Sequence, residues 1–307
     1  MQKTVARVLL EGLAAEGRRV FAAWRAQVLL RRATFTHPAT QRRWSHLPEH
    51  IFNLTPILRQ MERREEIVRI PRLGHCYEVT TPYATGTLDE YAILMELHPF
   101  CALSHASALS FHHLTDDLEQ RITATAATRR PAGVYPTDTT VEDWEGRPLV
   151  SGTRVARILD RPIRWSAVQP ARFFGVGEYR RFGYPLRVTT RERTLLDGLR
   201  DPELCGGLEN VLRAWAASRD TLDVAALVAD AERLDIAVLR QRAGFVMDTL
   251  GIVHPRLERW RELASRGGSS KLLAAAPYTT PAGEARFSER WKLALNAPLE
   301  VLGETRT

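Results

Sequence analysis

The residues that could carry catalysis fail on spacing. A restriction-type nuclease core holds a metal with Asp and activates water with an acidic-x-Lys triplet. This chain has three lysines, Lys3, Lys271 and Lys292, and two residues before them stand Met1, Ser269 and Arg290. Asp143-Trp144-Glu145 offers the acidic pair of a nucleotidyltransferase, but no Gly-Ser phosphate turn precedes it, and Gly268-Ser269 has no acidic pair behind it. His46 and His50 are one helical turn apart, with Pro48 between them and no third ligand. His112 and His113, adjacent on a helix, face opposite ways. Gly175-Val176-Gly177 lacks the third glycine of a dinucleotide fingerprint and reads as a hairpin turn. The odd, scattered Cys76, Cys101 and Cys205 build neither a disulfide framework nor a CxxC knuckle and read as idle thiols in a reducing cytoplasm. With no nucleophile elbow or P-loop either, the expectation is a protein that is not an enzyme and holds no metal or cofactor.

Binding chemistry is better represented. Residues 1–82 hold 14 Lys+Arg and 7 Asp+Glu, whereas the remainder holds 29 of each, so the whole excess of +7 lies in the first quarter. A confined positive field draws phosphate polyanions, though charge alone names neither DNA nor RNA. Within that quarter Arg59, Gln60, Arg63 and Arg64 fall on one side of a helix beginning near Thr55. Guanidinium groups so placed can bond guanine edges in the major groove. Asn53 and Thr55 stand at the helix start, where phosphate or a base edge can approach. Arg69, Arg72 and His75 lie on a hairpin, suited to phosphate or the minor groove, and Arg42-Arg43 add backbone contacts. The plainer reading of Arg59–Arg64 is a solvated charged face.

These side chains need a scaffold. Val5, Val8, Leu9 and Leu13 have helical spacing, ended by Gly17; Arg19–Phe21 reads as a short strand. Ala22–Arg32 reads as a second helix, and Ala33–Glu49 as a basic loop. Thr55 suits an N-cap and Pro56 the first helical position, with Ile57, Leu58 and Met61 facing inward. Ile67–Ile70 and His75–Val79 flank the turn Pro71–Gly74. Helix, helix, helix, hairpin is the winged helix-turn-helix plan, whose third helix enters the major groove and whose hairpin forms the wing.

A second unit starts near Thr87, where Thr87-Leu88-Asp89-Glu90 reads as a capping box. Tyr91–Leu97 and Ser104–Leu114 read as helices; Ile122–Ala126, Ile163–Val168 and Leu186–Thr189 read as strands, with the Gly/Pro-rich stretch 131–152 between the first two. Thr189–Glu192 is a second capping box, opening a helix through Leu199. Leu204–Leu263 is helical, cut by Gly206-Gly207, Gly244, Gly251 and Pro255. The expected class is α+β: a winged helix-turn-helix domain (1–82), a larger mixed, helix-rich domain (87–265), and a spacer and tail (266–307). Lys3, Arg7, Glu11 and Glu16 interrupt any secretory leader, and the longest uncharged run near mid-chain, Leu97–Thr115, contains Pro99 and four histidines. A cytoplasmic protein with no membrane partner is therefore expected.

Two blocks of the second unit resemble AbiEi-type antitoxins of type IV toxin–antitoxin systems, found in phage defence. One is Leu103–Thr115, a serine-histidine, a small-residue helix and a histidine before Leu-Thr; the other is Val188–Asp197 (VTTRERTLLD). Gly206-Gly207 and Arg240–Leu250 look like later family blocks, and the similarity runs over about residues 5–265. The physical reading of the two main blocks is packing and helix capping. The resemblance implies an autorepressor whose winged-helix head binds double-stranded DNA at promoter inverted repeats, and whose body counteracts a nucleotidyltransferase-like toxin. Ala33–Glu49 is longer than the family's usual helix connection, and the tail beyond Pro277 matches weakly. A stand-alone regulator sensing a ligand or partner, and a DNA-acting metal-dependent enzyme, are the alternatives.

Overall fold

The chain is α+β. The computed structural model describes residues 2–46, 51–80, 88–268, 270–277, 279, 283 and 286–302. It begins with α1 (Val5–Ala15), β1 (Val20–Ala22), α2 (Ala23–Thr36) and α3 (Thr55–Arg63), followed by β2 (Ile67–Arg69) and β3 (Cys76–Val79). Thr4 Oγ1 caps α1 by accepting from the Arg7 N–H at 3.3 Å, and Gly17 ends it in a left-handed conformation. β1 and β2 pair antiparallel on either side of β3, with Phe21 opposite Tyr77 and Arg69 opposite the same residue. Helical spacing puts Leu9 and Leu13 of α1, Leu30 of α2, and Leu58 and Met61 of α3 into one core with Phe21, Tyr77 and Leu54, which stands just before α3. The two rings stack with centroids 5.5 Å apart.

Next come α4 (Glu90–Leu97), β4 (Cys101–Leu103), α5 (His105–Phe111), β5 (Ile122–Ala127), β6 (Arg157–Ile158), β7 (Arg161–Val168), β8 (Val176–Arg181) and β9 (Tyr184–Thr189). The last six strands form one sheet in the order β6-β7-β5-β4-β9-β8, in which β4 runs parallel to β9 with Leu103 against Val188. The remainder is α6 (Arg191–Arg200), α7 (Leu208–Ser218), α8 (Val224–Leu234), α9 (Ala237–Thr249), α10 (Arg256–Glu262) and the short pair β10 (Phe287–Ser288) and β11 (Leu293–Ala294).

The chain forms two compact units: residues 1–101, 129–163 and 178–187 make the first, and 102–128, 164–177 and 188–307 the second. This differs from a cut at residue 82, because side chains of the first 82 residues bond Glu96, Asp138 and Asp143. The region 266–307, read as spacer and tail, sends Leu272, Trp291, Leu293, Val301 and Leu302 into the core of the second unit.

Several local expectations shift. Helix α2 continues four residues past Arg32, into the segment read as loop. Thr55 is not the cap of α3: a 3-10 turn at Ile51–Leu54 leads straight into the helix, so Leu54 already has helical angles and Thr55 is the first helical residue, followed by Pro56. Thr190, not Thr189, caps α6 by accepting from the Arg193 N–H at 3.2 Å. Thr189 stays in β9 with its hydroxyl on Thr194, and the Glu192 carboxylate accepts from the Asp223 N–H instead. Thr87 lies outside the described residues, and the cap residue of α4 is Asp89. Gly175 precedes β8; the turn between β8 and β9 is formed by Phe182 and Gly183, both at positive φ. Helix α5 stops at Phe111, with His113 left-handed. Gly244 does not cut a helix but lies inside α9, where a Cβ would overlap the Trp291 indole.

Candidate nucleic-acid interface

The side chains of α3 divide sharply. Leu58 and Met61 are buried, while Arg59, Gln60, Arg63 and Arg64 are exposed, and Asn53 and Phe52 are exposed in the turn before them. Steps of three and four residues keep Phe52, Pro56, Arg59 or Gln60, and Arg63 along one strip. Among the described residues no carboxylate pairs with Arg59, Arg63 or Arg64. Among the described residues no other group accepts from their guanidinium groups, which stand as charged donors at the surface. Thr55 is half-buried and makes no capping bond, so its hydroxyl does not close the helix start.

The hairpin is more mixed. Arg72 and His75 are exposed in the connection between β2 and β3, which turns through left-handed Arg72 and Gly74. Arg69 is committed elsewhere: it lies 3.5 Å from a Glu62 carboxylate oxygen, donates to the Tyr77 hydroxyl at 3.2 Å and stacks over that ring. Arg43 is exposed, but Arg42 is half-buried against Trp44, with Nε and Nη1 shut off from solvent. Of the residues singled out by sequence, Asn53, Arg59, Gln60, Arg63, Arg64, Arg72, His75 and Arg43 are available on the surface, and Thr55, Arg69 and Arg42 are at least partly engaged.

Sequence reasoning missed where the other arginines go. The Glu96 side chain is buried, and its Oε1 accepts from Arg18 Nη1 at 3.1 Å and from Arg25 Nη2 at 2.9 Å. Its Oε2 accepts from the Ala22 N–H at 3.0 Å, and its backbone oxygen from Trp24 Nε1 at 2.8 Å. Arg18 also donates to Asp138 at 2.7 Å, and Arg32 grips Asp143 at 2.6 and 2.9 Å. Burial works against the charge on Arg18, yet Glu96, Glu16 and Asp138 hold its pKa above the ordinary value. Several of the cations counted in the first quarter are thus spent internally. The first unit nonetheless keeps 23 Lys+Arg against 16 Asp+Glu, and the second holds 20 of each. No local signal in the sequence announces Glu96, since its partners lie 71 and 78 residues away.

The other candidate chemistry resolves into packing. Asp143 is held by Arg32 and by the Thr140 N–H, which leaves it poorly placed for a metal. His46 is exposed beside the Ser45 hydroxyl, and His50 lies outside the described residues. Among the described residues no group of three or more His, Cys, Asp or Glu could hold a metal ion. The three cysteines are free and buried, and burial raises each thiol, Cys101 to about 12. In the second unit the blocks 103–115 and 188–197 meet: His112 Nε2 lies 2.7 Å from the Thr189 carbonyl oxygen, next to the Leu103–Val188 register. The Ser104 hydroxyl accepts from Thr125 at 2.8 Å and contacts His105 Nδ1.

A solved structure with a similar fold is that of the RV2827C protein from Mycobacterium tuberculosis. It is 14% identical, with a TM-score of 0.53 over 98% of this chain and 94% of that one. No family model matches the sequence. No curated protein matches it either. The likeness is one of fold, spanning both compact units. Among the described residues, no helix is long and apolar enough to cross a membrane.

Proposed function

We propose that this protein is a DNA-binding transcriptional regulator that reads duplex DNA with the exposed strip of α3. The observation that carries the reading is the set of three exposed arginines, Arg59 and Arg63 on the solvent side of a helix whose other side is core and Arg64 at its end, with no carboxylate partner among the described residues. The order helix, strand, helix, helix, strand, strand, with β3 central in its sheet, supports a winged helix-turn-helix, with α3 in the major groove and the β2–β3 hairpin as the wing. Arg72 and His75 on that hairpin, with Arg43, are placed for phosphate, which fixes register without reading sequence. Arg59, Gln60 and Arg63 reach base edges.

Within this reading, the protein is an autorepressing antitoxin that binds inverted repeats in its own promoter and counteracts a nucleotidyltransferase-like toxin. This part is supported by the resemblance of Leu103–Thr115 and Val188–Asp197 to AbiEi-type antitoxins. A stand-alone regulator is favoured by a different observation: a cleft of about 650 Å³ in the second unit, lined by Thr115, Asn210, Arg213 and Arg219 among others, that is large enough for a small ligand. One measurement tests the DNA binding that both share, and a second separates them. Fluorescence anisotropy with a duplex from upstream of the gene tests DNA binding; nanomolar affinity that falls with salt is expected, and no binding would overturn it. Co-expression with the neighbouring reading frame tests the antitoxin role, which requires that this chain restore growth.

A further inference from the structure

Phe52 is 77% exposed, and among the described residues no ring or cation stacks on it. A single exposed apolar side chain is ordinary on a protein surface. The position of this one is not arbitrary, because Phe52 and Asn53 continue the strip that carries Arg59 and Arg63 through the 3-10 turn into α3. From Phe52 to Arg63 the run rises about 17 Å, roughly five base-pair steps. The strip therefore presents two chemistries in order: an apolar ring and a carboxamide at its start, and guanidinium groups toward its end. The major groove offers matching partners, the C5-methyl of thymine for an apolar side chain, N6 and N7 of adenine for a carboxamide, and O6 and N7 of guanine for an arginine.

Resting on the DNA-binding reading above, we infer that Phe52 and Asn53 read A·T pairs in the major groove, so that each half-site is A·T at the start of α3 and G·C toward its end. The Phe52 ring packs on a thymine methyl. Asn53 donates from Nδ2 to adenine N7 and accepts at Oδ1 from the adenine amino group. Neither contact uses charge, so both set sequence preference and leave the salt dependence to the arginines.

The test removes one methyl group from the DNA. The full chain selects its preferred duplexes from a randomised pool. Anisotropy then compares the winning duplex with copies in which single thymines are replaced by deoxyuridine. Wild type should lose about fourfold at one position, the value of one buried methyl. Phe52→Ala should bind the thymine and deoxyuridine duplexes equally, and Phe52→Leu should keep part of the thymine preference. Unchanged melting of Phe52→Ala, expected for an exposed side chain, shows that the fold is intact. Equal loss at deoxyuridine in wild type and Phe52→Ala, or selected duplexes with no A·T preference, would overturn this inference while Arg63-dependent binding leaves the DNA reading standing. No selection of any duplex, or equal binding of an RNA hairpin of the same sequence, would overturn both.

Discussion

Each compact unit holds a buried ion pair, and the two pairs are built in different ways. In the first, Glu96 gathers Arg25 and Arg18 from 71 and 78 residues away, together with the Ala22 N–H. In the second, Arg193 pairs with Asp197 one helical turn away at 3.0 Å, and its Nη1 donates to the Phe174 carbonyl at 2.9 Å. A pair one turn apart forms whenever its helix forms, and its geometry is set by 3.6 residues per turn. A carboxylate that binds two distant arginines forms only when the whole unit is in place. Breaking such a site is severe, because Arg25 would stay buried without its carboxylate, while Arg18 would keep Glu16 and Asp138. The contrast also bears on function. The first unit uses Arg18, Arg25 and Arg32 as internal fasteners, whereas the arginines of the α3 strip stand exposed.

The largest expected effect comes from removing Glu96. Glu96→Ala leaves Arg25 buried without its carboxylate and the Ala22 N–H without its acceptor, and should cost about 3–5 kcal/mol of unfolding free energy in a urea titration. A loss below 1 kcal/mol would mean that water reaches the site. Next is an acid effect in the same unit, where burial pushes the His98 imidazole from 6.5 down to about 4. The unfolded ring takes up its proton first as pH falls. Stability should therefore be full above pH 6.5 and fall by on the order of 3 kcal/mol toward pH 4, with a smaller loss in His98→Gln. Equal pH slopes for the two proteins would remove His98 from the account.

For the second unit, Gly244→Ala tests packing in place of charge. The new methyl would meet the Trp291 indole and should cost about 1–3 kcal/mol, read as a lower melting temperature. An unchanged melt would mean that the indole shifts freely. The smallest effect on folding belongs to Arg63→Ala, which should leave the melt alone and weaken duplex binding by about 1–3 kcal/mol. Unaltered affinity would take Arg63 out of the interface.

Much of the scaffold was legible because local rules fixed it. The apolar spacing of Val8, Leu9 and Leu13, the turn at Pro71–Gly74 and the breaks at Gly206-Gly207 and Gly251 each encode their element within a few residues. The strip on α3 was legible for the same reason: alternation of Leu58 and Met61 with Arg59, Gln60 and Arg63 is a helical pattern. What escaped depends on distant partners. Gly244 looks like a helix breaker until Trp291, 47 residues on, is packed against it. Arg18 and Arg25 count as positive surface until Glu96 neutralises them. Thr55 looks like a cap until a 3-10 turn supplies the preceding residues in helical form. Phe52 gave no signal, since a lone aromatic before a helix is as easily core as surface.

Contact between the α3 strip and DNA is tested most directly by the affinity and sequence preference that its arginines supply. Anisotropy titrations of a promoter duplex at several salt concentrations would compare wild type with an Arg59→Ala/Arg63→Ala double variant of unchanged melting temperature. The expected result is weaker binding by the variant, with lost sequence preference where the arginines contact bases, and a log K against log salt slope shallower by about 0.9 for each phosphate contact removed. Equal affinity, equal slope and equal sequence preference in the two proteins would contradict it.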